Sequence, residues 1–114
     1  MNKQPRDETP LFAKYYDMMA WLTGCVEKFP RSQRFILASR IMDSGYACHR
    51  QLIRARKVTG AARAQALLEA DIELETLRLQ WRLAHEHRCV TMDQYEYGAV
   101  LMNAVGRMLG AWRR

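Results

Sequence analysis

The sequence predicts an all-α chain, an antiparallel up-down-up-down four-helix bundle. Three observations carry that expectation. Apolar residues recur in steps of three and four along most of the chain. No window alternates convincingly with period two. Six glycines and three prolines in 114 residues are too few for a loop-rich or all-β design. With 49% hydrophobic and 26% charged residues, the chain can build a core and is not a disordered tail. Its length suits one domain, residues 9–114, behind a polar segment 1–8 expected to be flexible.

Thr9-Pro10 opens the first helix, with a capping residue followed by a proline whose missing N–H is no loss at the first helical position. Its seam reads Phe12, Tyr15, Met19, Leu22, Val26 and Phe29, and Pro30 ends it. Ser32 is the expected cap of the second helix, which runs to about Lys57 and breaks at Val58-Thr59-Gly60. The third helix covers about Ala61 to Arg88 on a seam of Leu67, Ala70, Leu74, Leu77, Trp81 and Ala84. Thr91 and Gln94 form a capping box for the fourth, whose seam is Tyr95, Ala99, Met102, Val105, Leu109 and Trp112. Gly106 and Gly110 lie four apart in that helix, where each glycine costs roughly 1 kcal/mol relative to alanine. They are expected to mark a close crossing with a neighbouring backbone or the Trp21 ring. The alternative for Gly110 is a C-cap.

The second helix carries more than one face. At about 100° per residue, Leu37, Ile41, Cys48 and Leu52 form the core stripe. Phe35, Met42 and Ile53, with Tyr46 beside them, form another. This second stripe reads either as contact with a second neighbour in the bundle or as a surface between copies of the chain. Arg40, Arg50, Arg54 and Lys57 share a third face, and Arg56 and Arg63 extend it towards the turn. Between Arg31 and Arg63 the only acid is Asp43. A solvated helix face usually intersperses both signs. The third helix has the opposite bias, with Glu69, Asp71, Glu73 and Glu75 uninterrupted by a base. A net charge of +6 and a pI near 9.6 fit a polyanionic partner.

Other chemistry is thin. His85 and His87 are two apart and diverge by about 200° on a helix, so they do not face one metal ion. There is no carboxylate pair, nucleophile elbow, CxxC or glycine-rich phosphate loop. No catalytic residue, metal or cofactor is expected, and the chain does not read as an enzyme. The longest stretch without Lys, Arg, Asp or Glu runs from Tyr97 to Gly106, far short of the ~20 residues of a membrane span. Three scattered cysteines and no apolar leader suit a reducing cytoplasm. Lys and Arg on rigid helices would contact phosphates, which supplies affinity without sequence information.

The stretch VTMDQYEYGAVLMNAVGRMLGAW resembles the last helix of the accessory variability determinant proteins of diversity-generating retroelements, most specifically in Gly106, Arg107, Met108, Leu109, Gly110 and Trp112. Tyr16-Asp17, Trp21, Phe29-Pro30-Arg31, Arg34 and the run from Leu68 to Arg78 agree in order. The resemblance covers about residues 10 to 112. It extends to four-helix proteins encoded in intervening sequences of bacterial ribosomal RNA genes. It implies a bacterial or phage-encoded, non-enzymatic accessory subunit, a four-helix bundle that assembles as a homopentamer. Such a subunit binds nucleic acid and the element's reverse transcriptase, and supports mutagenic cDNA synthesis from the template RNA. On that basis Arg40, Arg50, Arg54, Arg56, Lys57 and Arg63 are the expected nucleic-acid contacts, and Phe35, Met42, Tyr46 and Ile53 the expected subunit contacts. The alternative is an intervening-sequence type protein associated with RNA, of unknown role.

Overall fold

The structure, a computed structural model, describes residues 9–114; the segment 1–8 expected to be flexible lies outside the described residues. Helix α1 is Thr9–Val26. Helix α2 spans 31–57 in three parts: an α turn Arg31–Gln33, a π-helical turn Arg34–Ala38 and a regular α-helix Ser39–Lys57. Helix α3 is Gly60–Glu86 and α4 is Met92–Arg113. Among the described residues there is no strand, and no helix is long and apolar enough to cross a membrane.

Cross-helix pairs run in opposite order at every contact between neighbours. Tyr15 meets Gly45 and Phe12 meets His49. Cys48 meets Ala70, and Ala55 meets Arg63. Arg78 meets Asn103 and Trp81 meets Tyr95. Trp21 meets Tyr97, and Phe12 meets Trp112. Each helix is therefore antiparallel to the next, and α4 returns to pack on α1. Short connections leave no other easy arrangement.

The α3 seam is buried at all six expected positions, and so are Leu37, Ile41, Cys48 and Leu52 of α2. The capping box at α4 is complete: Thr91 Oγ1 accepts from the Gln94 N–H, and Gln94 Oε1 accepts from the Thr91 N–H. In α4, Met102, Val105, Leu109 and Trp112 are buried, with Gly98 and Leu101 beside them, while Tyr95 and Ala99 lie at the margin. The α1 seam is shifted. Leu11, Tyr15, Met18, Leu22, Cys25 and Val26 are buried, and Phe12 and Met19 are only half-buried. Leu11-Phe12 and Met18-Met19 are adjacent apolar pairs, so two seams with the same spacing were available, and packing chose between them.

Two further expectations are corrected. Ser32 does not cap α2; the helix starts at Arg31 behind Pro30, with no side-chain capping bond. The expected approach at Gly106 and Gly110 is also different. A Cβ at Gly106 would fall 2.5 Å from the Arg78 guanidinium, and one at Gly110 would meet nothing within 4 Å. Neither faces a backbone or Trp21. The close crossing of α4 is at Gly98, where a Cβ would lie 2.6 Å from the Trp81 ring. That ring is buried and donates from Nε1 to the Tyr95 carbonyl at 3.0 Å, so it is held in place.

Candidate nucleic-acid interface

The positive face is built on the C-terminal half of α2. Arg50, Arg54 and Lys57 follow in steps of four and three, which places them on one side of the helix. All three are exposed, and none makes an ion pair among the described residues. With Ile53 and Val58 they line a shallow depression of about 290 Å³. Arg40 is exposed on the same helix, about 15 Å towards its N-terminus.

Arg56 and Arg63 sit differently. The Arg56 guanidinium lies over the Phe12 ring of α1, 4.0 Å from its centroid. Arg63 reaches back from α3 and donates from Nε to the Ala55 carbonyl at 2.9 Å, satisfying one of the last carbonyls of α2. Both still add to the local positive field, but their side chains are engaged in holding the α1–α2–α3 end of the bundle together. Among the described residues the acids of α3 make no ion pair with this face: Glu69 accepts from Gln65, and Asp71 pairs with Arg113 of α4 at 3.1 Å.

The second stripe of α2 divides in two. The π turn inserts an extra residue into the helix, so Phe35 leaves the phase that a uniform 100° per residue assigns it. Phe35 is 85% exposed, and Ile36 beside it 66%. Met42 is half-buried against the core. Tyr46 is 54% exposed and stands on one wall of a groove between α1 and α2; Ile53 is half-buried in the basic depression.

That groove was not legible from the sequence. It holds about 400 Å³ and is lined largely by apolar surface. Tyr16, 73% exposed, forms the opposite wall. Tyr15 and His49 form its floor, stacked with ring centroids 5.4 Å apart. The Tyr15 hydroxyl donates to the Gly45 carbonyl at 2.6 Å. Burial, and then the Arg56 charge, push the His49 pKa below its ordinary 6.5, so the imidazole is neutral at pH 7. A second stripe the sequence reading did not single out runs along the outer face of α3, where Leu68, Ile72, Leu79 and Leu83 are all exposed within about 60° of arc. Its i, i+4 pairs were visible in the sequence, but the buried seam of the same helix dominated the pattern.

At the α3–α4 turn His85 stacks on Tyr95, with centroids 5.0 Å apart. No group of three or more His, Cys, Asp or Glu side chains placed to hold a metal occurs among the described residues.

A crystal structure of a protein of unknown function from the S23 ribosomal protein family of Bacteroides thetaiotaomicron has the same fold, with a TM-score of 0.84 at 16% identity over 93% of this chain and 96% of that one. No curated protein matches the sequence. The family model described as bAvd-like matches residues 11–114, from the first turn of α1 to the end of α4. That match takes in all four helices with the groove and the basic face of α2, and the chain belongs to the bAvd-like family.

Proposed function

We propose that this protein is a non-catalytic accessory subunit of a diversity-generating retroelement. It works as a homo-oligomer, a pentamer, that holds the template RNA and cDNA through their phosphates and docks the element's reverse transcriptase. The observation that carries this reading is the row of Arg50, Arg54 and Lys57 on one side of a rigid helix, without an ion pair among the described residues, in a chain of the bAvd-like family. Such a row neutralises phosphates without reading bases, so sequence choice falls to the polymerase and the folded RNA. Two exposed apolar surfaces are available for subunit contacts, Phe35 with Ile36 at the π turn and the outer stripe of α3.

The test is the salt dependence of nucleic-acid binding. Arg50→Ala with Arg54→Ala removes two phosphate contacts per subunit, so the slope of log K against log[salt] should flatten by about 1.5, with RNA and DNA weakened alike and circular dichroism unchanged. Parental affinity and slope in this variant would refute phosphate binding by this face.

A second reading, an RNA-associated protein of the intervening-sequence type, is favoured by the S23-family fold match. A reverse-transcriptase gene and near-identical repeats beside the coding sequence separate the retroelement reading from it.

A further inference from the structure

We infer that the groove between α1 and α2 is a pocket for an unpaired nucleobase, which makes the basic face of α2 a single-strand binding surface. This rests on the nucleic-acid reading above and adds to it a site and a preference. Two observations support it together. The groove has an aromatic wall on each side, Tyr16 and Tyr46, and both rings are more than half exposed in a chain that buries Tyr15 beside them completely. Its volume of about 400 Å³ falls within the range of small-ligand pockets.

The second observation is continuity. Tyr46, Arg50, Arg54 and Lys57 follow one another at steps of four, four and three along α2. Each step of four rises about 6 Å, comparable with the distance between successive phosphates of an extended strand. A base entering beside Tyr46 therefore leaves its strand running over Arg50 and Arg54. Asp43, the one carboxylate of α2, lies one turn beyond Tyr46 on the other side and interrupts the positive track there, between Tyr46 and Arg40. The strand accordingly runs from the groove towards Lys57 and away from the π turn.

Stacking explains why two tyrosines should stay exposed. Every base has a π-face, so an aromatic wall binds bases without choosing among them, and cationic neighbours strengthen the contact. On the groove floor His49 is held against Tyr15, and its neutral imidazole offers one donor and one acceptor to a base edge. A duplex seals its bases inside the stack and can use the phosphate contacts only.

The experiment compares binding of the full chain to unstructured single-stranded RNA and DNA of about 16 nucleotides, a length matched to known single-strand sites, with binding to the corresponding duplexes. The duplex sets the phosphate-only baseline. Tyr16→Ser with Tyr46→Ser should weaken single-strand binding about tenfold and leave duplex binding unchanged. Tyr16→Phe with Tyr46→Phe keeps the rings and should retain parental behaviour. Equal weakening on RNA and DNA identifies the base as the ligand; loss on RNA alone would point to the ribose and overturn the assignment. Unchanged single-strand affinity in the serine pair, or equal loss on both forms, also overturns it while leaving phosphate binding intact. A change in assembly size of the serine pair by light scattering would make the tyrosines a subunit contact instead. If the parent binds neither form, the nucleic-acid reading itself fails, and the groove assignment with it.

Discussion

The two flanks of α2 are built from opposite materials. Towards α3 the helix presents Ser44, Cys48 and Ala55, which share one arc, against Ala66 and Ala70, and these two helices are the most closely packed pair in the bundle. The approach is near enough for the Cys48 thiol to donate to the Ala70 carbonyl at 3.2 Å. Towards α1 the same helix presents Tyr46 and His49, and large side chains hold the two axes apart and leave an open groove. Small residues let backbones approach and exclude everything else. Aromatic residues fill a wider gap unevenly, and what they leave unfilled is available to a ligand. One helix thus has a closed side and an open side, set by side-chain volume.

The sharpest way to break this comparison is to change one side-chain volume on each flank. Ala70→Leu adds volume where none is free, and should destabilise the chain by about 3 kcal/mol in urea unfolding. Tyr46→Ser, on the groove side, should stay within about 0.5 kcal/mol of the parent. Comparable losses from the two changes would mean that the groove wall is core.

A smaller contrast comes from two glycines with equally close neighbours. A Cβ at Gly98 would meet the Trp81 ring at 2.6 Å, and one at Gly45 would meet the Met19 sulfur at the same 2.6 Å. Trp81 is buried on all sides, while Met19 lines the groove and has room to swing. Gly98→Ala should therefore lower stability by about 2 kcal/mol. Gly45→Ala should be close to neutral, because the alanine's better helix propensity, about 1 kcal/mol, offsets the displaced thioether. Thermal melts of the two variants distinguish them directly.

The seam also has an alkaline signature. Burial pushes the Cys48 thiol up to about 11 from its ordinary 9.0, and burial raises the Tyr15 phenol well above 10.0. Both groups are neutral when protonated, and both hold the proton more tightly when folded. Their contribution is whole below about pH 9 and declines as pH rises towards 11, with Cys48 titrating first in that window. Cys48→Ala should delay the onset of that decline towards pH 10, where Tyr15 takes over. Stability measured from pH 8 to 10.5 checks it.

The smallest effect lies away from both flanks. Arg88 ends α3 in the left-handed region, φ 62°, where its N–H bonds the His85 carbonyl and the Cys89 N–H bonds the Ala84 carbonyl. Glycine is the usual residue there. Arg88→Gly should stabilise by about 1 kcal/mol, raising the melting temperature by a few degrees. It should leave the salt slope of nucleic-acid binding unchanged.

How much of the site was readable depended on how local its cause was. Arg50, Arg54 and Lys57 fall on one face by spacing alone, because a regular helix turns a sequence interval into a direction. Phe35 does not, because the π turn at 34–38 breaks that conversion within the same helix. Tyr16 entered the sequence reading only through the family resemblance, as Tyr16-Asp17, with no sign that it would wall a groove. Its neighbour Tyr15 is buried and Tyr16 is exposed, and what makes Tyr16 a wall is Tyr46, thirty positions away on another helix.

The four helices, their breaks at Pro30 and Val58-Thr59-Gly60, the capping box at Thr91 and the cationic run of α2 are properties of the sequence itself. Each rests on interactions within a few residues: hydrogen bonds of one turn, a missing N–H, a cap or a charge count. The choice between the two α1 seams, the closeness of α2 to α3, the seating of Gly98 on Trp81 and the opening of the groove were decided only in the tertiary structure. These depend on which volumes meet across helices, and the distance between two helix axes is set jointly by side chains from both.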